Sequence, residues 1–349
     1  MSHLTILIPF ALPPVDMGAD LLRSMQTPAL AMLLGRSQLD QSKHTDAFAR
    51  ALPHEYWLAA AAGLVNAHQD TSPAVVAQSL ARFDSGITDG FWFVINPVHL
   101  HIARDHLVLT DRRQLAIDDS ESRELFNIAE PVFNEYGHTA LFGDATTWFL
   151  RADAWHELMT ATPDAACGHN IDIWMPTGSA ERDWRKLQNE IQMHWHDAEV
   201  NLHRQSAGKN PVNSLWPWGG TQVRGAALSP RFQNAFLQSD SLQYFGDVAH
   251  ATRFVGDSAT VIASHSADNL LVLDSLLAPA LGDDLGEWLR QINALEVDWF
   301  APILYAIKSG AIDGCRLILT NATSLQQRSV TRNGLRKFWR TPALSTLLP

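Results

Sequence analysis

The sequence has few of the features that mark several common protein classes. Its 349 residues include two cysteines, Cys167 and Cys315, which lie far apart and form no CxxC pair. This excludes a disulfide scaffold and a zinc ribbon, and it is typical of a protein of the reducing cytoplasm. Charged residues make up only 18% of the chain, and 37 acidic against 26 basic residues give a net charge of −11. An acidic surface repels phosphate backbones, so nucleic acid is not an expected partner.

A targeting or membrane segment is also missing from the sequence. Residues 1–15 are largely apolar, but Pro9, Pro13 and Pro14 interrupt them, and the first arginine is Arg23. A signal peptide needs a basic start and an unbroken apolar core. No stretch is apolar over the length needed to span a bilayer. We therefore expect a cytoplasmic protein with no membrane partner.

Buried strands and amphipathic helices alternate along the chain. Short apolar runs at residues 4–8, 270–273 and 315–319 are typical of parallel strands that are covered on both faces. Helical spacing of apolar residues is found at residues 20–34, 55–65, 183–196 and 285–299. A strand, a long helix and a second strand between residues 270 and 319 predict a right-handed βαβ crossover. The pattern indicates an α/β protein with a mostly parallel sheet flanked by helices.

The sequence pattern changes at residue 91. Four short β-rich runs, at residues 91–96, 98–102, 106–109 and 115–117, precede a helix at 121–136 and a strand at 146–151. This predicts a smaller α+β domain inserted into the α/β core. We place the first part of the core at residues 1–88, the insert at 89–172 and the second part of the core at 173–349.

Two groups of polar residues could bind a ligand. His99 and His101 lie two apart on a predicted strand and share one face, a spacing that metal sites use; the alternative is a solvent-facing polar edge. Glu190 and His194 lie one helical turn apart, and Arg204 follows as a candidate partner for a phosphate or carboxylate. The alternative there is a polar helix end capped by its own side chains.

The segment 209–220 (KNPVNSLWPWGG) is unusual for a loop. Trp216 and Trp218 could form the walls of a pocket, and Gly219-Gly220 permits close approach of the backbone. Packing in a core is the other interpretation.

Residues 189–220 (NEIQMHWHDAEVNLHRQSAGKNPVNSLWPWGG) resemble two known groups. The closer is the RpfE-type regulatory family of proteobacteria, and the more distant is the archaeal-type cofactor-independent phosphoglycerate mutases. The resemblance implies an alkaline-phosphatase-like α/β core with an inserted α+β domain. It also covers Asn96-Pro97-Val98-His99-Leu100 in the predicted insert and Thr27-Pro28-Ala29-Leu30 in the core.

The catalytic parts of the mutases are not matched. Those enzymes need two divalent metals, a serine nucleophile and a set of Asp and His ligands. Their first Asp is replaced by Ile8-Pro9-Phe10, and their serine falls at Leu52-Pro53-His54. Their later ligands are replaced by Ala278-Pro279-Ala280-Leu281-Gly282-Asp283 and Asn321-Ala322, and no histidine follows His265. The resemblance therefore implies a fold whose phosphoryl-transfer residues have been lost.

We predict a non-catalytic, metal-free protein with a binding or regulatory role and no cofactor. Its partner would be a small anionic ligand or a protein. The predicted ligand-binding residues are Asn189, Glu190, Asn201, Arg204, Asn213, Trp216 and Gly219.

Two other interpretations stay open. One is a metal-dependent phosphoglycerate mutase or phosphatase that uses Mn or Zn with rearranged ligands. Its candidate ligands are His54, Glu55, His99, His101 and His194. The other is an interaction protein without a small-molecule site.

The C-terminal region also contains a regular series of arginines, one every four residues: Arg328, Arg332, Arg336 and Arg340. On a helix these arginines would form a basic stripe that could bind an acidic partner.

Overall fold

A computed structural model describes residues 3–64, 70–84, 86–223, 230–264 and 268–348. Within these ranges the strands are β1 (His3–Ile8), β2 (Gln38–His44), β3 (Phe91–Val98), β4 (Leu100–Ala103), β5 (His106–Leu109), β6 (Thr139–Asp144), β7 (Thr147–Arg151), β8 (Ser214–Gln222), β9 (Phe232–Leu237), β10 (Ala249–Phe254), β11 (Asp268–Val272), β12 (Gly314–Thr320) and β13 (Ser324–Thr331). The α-helices are α1 (Gly18–Ser24), α2 (Pro28–Gly35), α3 (Pro53–Ala61), α4 (Val76–Phe83), α5 (Asp119–Glu135), α6 (Pro163–Ala166), α7 (Glu181–His196), α8 (Glu199–Ser206), α9 (Ser258–Ile262), α10 (Leu277–Leu281), α11 (Leu285–Leu295), α12 (Ala301–Ser309) and α13 (Arg332–Leu335). None of these helices is long and apolar enough to cross a membrane.

The chain divides into two compact units. The first unit consists of Met1–Ala47, Leu52–Gly63 and Leu228–Pro349, and the second of Phe48–Ala51 and Leu64–Ala227. The second unit is thus inserted in the sequence of the first. It continues to residue 227, beyond the boundary predicted at residue 172, because β8 pairs with β3 and α7 packs against α5.

The first unit is built on a sheet with the strand order β10-β9-β11-β1-β12-β13-β2. The five strands from β10 to β12 are parallel, and β13 and β2 continue the sheet in antiparallel fashion. Strand β1 is central, and its residues from Leu4 to Ile8 are buried, as the apolar run at its start predicts. The strand–helix–strand pattern is also confirmed, since β11 and β12 both lie parallel to β1.

The helix predicted at residues 285–299 is longer than its spacing indicates. A proline such as Pro302 ordinarily interrupts a helix, but here a π-helical turn at Glu296–Phe300 leads directly into α12. Pro302 falls in the first turn of α12, where the missing N–H of a proline costs least. Within the described residues, the helix predicted at 55–65 is α3; residue 65 lies outside them.

The second unit is an antiparallel sheet, β6-β7-β3-β8, with α5 and α7 packed together and contributing to its core. This core is rich in tryptophan: the indoles of Trp148 and Trp195 meet at right angles with ring centroids 5.8 Å apart, and those of Trp155 and Trp184 do so at 6.0 Å. The predicted fold class, a mostly parallel sheet flanked by helices with a smaller α+β insert, is therefore confirmed.

Two local predictions are wrong. The run at residues 115–117, expected to be a strand, follows a 3₁₀ turn at Arg112–Leu115, and Ala116 has a left-handed backbone. The four arginines of the predicted stripe do not share a helix either. Arg328 lies on β13 and donates to the Ser37 hydroxyl, while α13 spans only Arg332–Leu335.

His138 gives the second unit a predicted pH dependence. Its imidazole packs against Trp155 with ring centroids 4.3 Å apart, and burial lowers the pKa of His138 below its ordinary 6.5, although Asp183 opposes the shift. As the pH falls from 7 to 5, the unfolded chain takes up a proton that the folded state resists, so this stabilising contribution is lost. We expect His138→Gln to flatten the decline in urea-unfolding free energy over this range. An unchanged slope would show that His138 contributes nothing to it.

Candidate functional site

Open α/β sheets bind ligands beyond the carboxyl ends of their parallel strands. In the first unit, the carboxyl ends of β1, β9, β11 and β12 meet at one edge of the sheet, and the start of α3 lies there too. We call it the carboxyl edge and define it by Phe10, His54, Ser239, Asp274 and Thr320.

Phe10 occupies the point just beyond β1. Its backbone N–H donates to the Thr320 hydroxyl at 3.3 Å, and its carbonyl accepts from the Trp288 indole at 2.9 Å. Its φ of +57° is rare for an aromatic residue and costs about 1–3 kcal/mol, so the surrounding contacts must hold it in place. The side chain is 7% exposed. The position where the resemblance places a metal-binding Asp is thus filled by a packed ring.

His54 lies against this ring. Its side chain is fully buried, and its ring centroid is 6.0 Å from that of Phe10 in an edge-to-face contact. It sits in the first turn of α3, where the carboxylate of Glu55 accepts the Leu52 N–H at 2.7 Å and caps the helix. The start of α3, where the resemblance places a serine nucleophile, carries Leu52 and Pro53, which have no hydroxyl.

Asp274 brings a buried carboxylate to the edge. It is 6% exposed and accepts a hydrogen bond from the Ser239 hydroxyl. The Ser241 N–H donates to the same hydroxyl oxygen at 3.1 Å, and the Ser275 N–H donates to the Gln238 side chain at 3.2 Å. These bonds tie the loop after β9 to the loop after β11.

The carboxyl edge does not fit a two-metal centre. Such a centre needs several carboxylates and imidazoles directed at the ions. Here the Glu55 carboxylate caps a helix and the Asp274 carboxylate accepts from Ser239. Across the described ranges, no group of three or more His, Cys, Asp or Glu side chains is placed to hold a metal ion.

The residues predicted to bind a ligand lie in the second unit, and two of the seven, neighbours on α7, line the same open depression. Asn189 is exposed and Glu190 half-buried on α7, where the Tyr136 hydroxyl donates to the Glu190 carboxylate at 2.7 Å. Both line an open depression of about 620 Å³, whose walls are Tyr136, Lys186, Asn189, Glu190, Met193 and His194.

Arg204 is a structural residue in this fold. Its side chain is fully buried; one terminal nitrogen pairs with the Glu121 carboxylate and the other donates to the Leu115 carbonyl. Its Nε donates to the Asn210 carbonyl at 2.9 Å. The predicted role in binding an anion requires an accessible guanidinium, which this geometry does not provide. Arg204 instead joins the start of α5 to α8 and the loop that follows it.

Asn201 has a similar structural role. Its amide nitrogen donates to the carbonyls of Trp195 and Val212, both at 2.8 Å, and its oxygen accepts the Val212 N–H at 2.8 Å. It is 2% exposed. These bonds fix the chain that leads into β8.

The remaining three predicted residues belong to β8 or directly precede it. Asn213 pairs with the backbone of Leu100 through two hydrogen bonds of 2.8 Å, and the buried Trp216 indole donates to the Ala161 carbonyl at 2.8 Å. Gly219, at φ +69°, donates its N–H to the Ser72 hydroxyl at 2.8 Å. The tryptophan-rich segment is therefore a core strand rather than the wall of a pocket.

The histidines of the metal-dependent alternative are divided between the two units. His99 and His101 stack with ring centroids 6.1 Å apart, as their spacing predicts, and His99 Nδ1 lies 2.8 Å from the Pro211 carbonyl oxygen. Burial is the main cause that lowers the pKa of His99. His194 is exposed on α7, whereas His54 and Glu55 belong to the first unit.

Sequence reasoning missed Ser239, Asp274 and Trp288. The sequence did contain a signal for Asp274, because a polar residue directly after a buried parallel strand is typical of a ligand-binding edge. It contained no signal for the role of Trp288, since the hydrogen bond to Phe10 joins residues 278 positions apart.

No family model matches the sequence, and no curated protein matches it significantly. Among solved structures, the chain is similar to the PH0037 protein from Pyrococcus horikoshii, with a TM-score of 0.54 and 10% identity over 95% of this chain and 87% of that one. It is also similar to a cofactor-independent phosphoglycerate mutase from Thermoplasma acidophilum DSM 1728, with a TM-score of 0.47 and 13% identity over 99% and 94% of the two chains. At 10% identity, the likeness to PH0037 shows the fold alone.

Proposed function

We propose that this chain is a non-catalytic, RpfE-type relative of the cofactor-independent phosphoglycerate mutases that acts in the cytoplasm by binding. The observation that supports it is the filled carboxyl edge: Phe10 and His54 pack together where the resemblance requires a metal ligand and a nucleophile. The Thr320 hydroxyl and the Trp288 indole hold the backbone of Phe10 in place. A fold of this kind can lose its chemistry and keep a binding role.

The ligand we propose is a small anion, with a protein partner as the alternative. Of the seven predicted binding residues, Asn189 and Glu190 line an open depression that a solute can enter. Lys186 brings a positive charge to the same depression on α7. Exposed Met193, 77% accessible, would favour a protein partner over a small anion at this surface.

The test is an assay of the full chain for interconversion of phosphoglycerates and for hydrolysis of p-nitrophenyl phosphate, with Mn²⁺, Zn²⁺ or Mg²⁺ added. We expect no metal-dependent turnover. Turnover that Asp274→Asn abolishes would overturn the proposal and place an active centre at the carboxyl edge.

Binding is followed separately, as a shift in melting temperature with phosphorylated three-carbon acids. A shift that Lys186→Ala removes would support a small anion on α7.

A further inference from the structure

A cleft in the first unit lies at the edge of the parallel sheet opposite the carboxyl edge, near the amino ends of the strands. It has a volume of about 170 Å³ and is lined by Thr5, Arg231, Phe232, Asp268 and Arg316. Asp268 and Phe232 begin β11 and β9, and Thr5 lies opposite Arg316 in the parallel register of β1 and β12. The side chains of Thr5 and Arg316 therefore project from the same face of the sheet.

The charge of this cleft is opposite to that of the protein. Arg231 and Arg316 against Asp268 give a local charge of +1 (two positive, one negative), whereas the chain carries −11. Arginine is the side chain best suited to oxyanions, because its planar fork can donate two parallel hydrogen bonds.

Arg316 has unused hydrogen-bonding capacity. Its side chain is half-buried, and its buried Nε has no hydrogen-bond partner among the residues that the structure describes. A buried donor without an acceptor is unfavourable, so an acceptor bound beside this guanidinium would remove the penalty.

Arg231 is held beside the cleft by an aromatic platform. Its guanidinium lies 5.3 Å from the centroid of the Phe232 ring, and that ring contacts Trp57 with centroids 6.4 Å apart. Phe232 is 3% exposed, so the platform is fixed by the core. A cation stacked in this way keeps its donors free for a ligand.

Asp268 sets the chemistry of the ligand. An ionised carboxylate only accepts hydrogen bonds, so beside two arginines it repels an oxyanion without protons and accepts from one that keeps a proton. We propose that this cleft binds a protonated phosphate group, with Arg231 and Arg316 on its oxygens, the Thr5 hydroxyl beside it and Asp268 accepting its P–OH. Sulfate has the same shape and charge but no such proton at neutral pH, so the site discriminates against it.

The test is calorimetric titration of the full chain with inorganic phosphate and with sulfate at matched ionic strength. We expect saturable binding of phosphate and at least about tenfold weaker binding of sulfate. Arg316→Gln should weaken phosphate binding by about 10- to 100-fold, the loss expected for a charged hydrogen bond. Asp268→Asn should remove the preference for phosphate over sulfate.

The matched control is Arg253→Gln, which makes the same charge change at an exposed arginine of β10 outside the cleft. Equal loss of binding in Arg253→Gln and Arg316→Gln, or equal binding of phosphate and sulfate by the unmodified chain, would overturn the proposal.

Titration with methyl phosphate at pH 6 distinguishes a phosphomonoester ligand from free phosphate. Binding as tight as that of inorganic phosphate indicates a phosphomonoester ligand. Binding of inorganic phosphate alone indicates the free ion. The cleft shares no lining residue with the carboxyl edge or with the depression on α7, so its test does not depend on the proposed function.

Discussion

Replacing Arg204 by methionine should lower the free energy of unfolding of the second unit by about 3–5 kcal/mol, the cost of removing one partner of a buried ion pair. Methionine has a similar length, so the loss comes mainly from hydrogen bonds rather than from a cavity. The carbonyls of Leu115 and Asn210 lose their donor, and Glu121, 19% exposed, loses its buried partner. Urea unfolding followed by tryptophan fluorescence measures the effect.

Lys209→Met is the matched control for this experiment. Lys209 contacts the same Glu121 carboxylate at 3.3 Å, but its side chain is 41% exposed, and exposed pairs contribute about 0–1 kcal/mol. Equal losses of unfolding free energy in the two variants would show that burial of the Arg204 ion pair adds nothing to stability. If Arg204→Met keeps its stability but loses a ligand-induced shift in melting temperature, the residue binds a ligand after all and its structural role is refuted.

The contrast between these two cations shows what the sequence could predict and what it could not. Arg204 lies in the last turn of α8 and Lys209 directly follows that helix, and the sequence offers no sign that only the first is buried. Two of the three hydrogen-bond partners of Arg204, Glu121 and Leu115, lie 83 and 89 positions away. Its role is therefore decided by tertiary packing, which local spacing does not report.

Elements with a strong local pattern were predicted well. Strands β1, β11 and β12 contain short, mostly apolar runs, and α7 and α11 carry an apolar stripe, so the local sequence pattern alone finds them. Strand β2 was missed because its seven residues, QLDQSKH, are all exposed and carry little apolar signal. It forms through the backbone bonds of its antiparallel pairing with β13.

Residues 189–220 show how one motif can combine residues that hold the fold with residues that are open to a ligand. Its tryptophans, asparagines and glycines are unusual for a loop, and a ligand pocket is one interpretation of this composition. The structure gives another: Asn201, Asn213 and Trp216 each form buried or partly buried bonds that hold β8 and the chain before it. A segment required for folding persists whether or not a ligand binds, so its presence does not argue for catalysis.

Gly219→Ala should destabilise the second unit by about 2–5 kcal/mol. The left-handed backbone at φ +69° costs an L-residue about 1–2 kcal/mol, and overpacking adds about 1–3 kcal/mol. An added Cβ would lie 2.7 Å from Val75 Cγ2, a side chain that is itself fully buried. Either the valine or β8 must move, and β8 is held by its register with β3. Urea unfolding measures the loss.

Gly208→Ala isolates the backbone part of this effect. Gly208 has nearly the same φ, +73°, but it is exposed and nothing lies within 4 Å of an added Cβ. We expect it to cost only the backbone strain of about 1–2 kcal/mol. The difference between the two variants then measures the close packing of β8 against Val75. Equal losses of unfolding free energy would show that the core around Val75 relaxes to accept the added Cβ, so β8 would not be a rigid core strand.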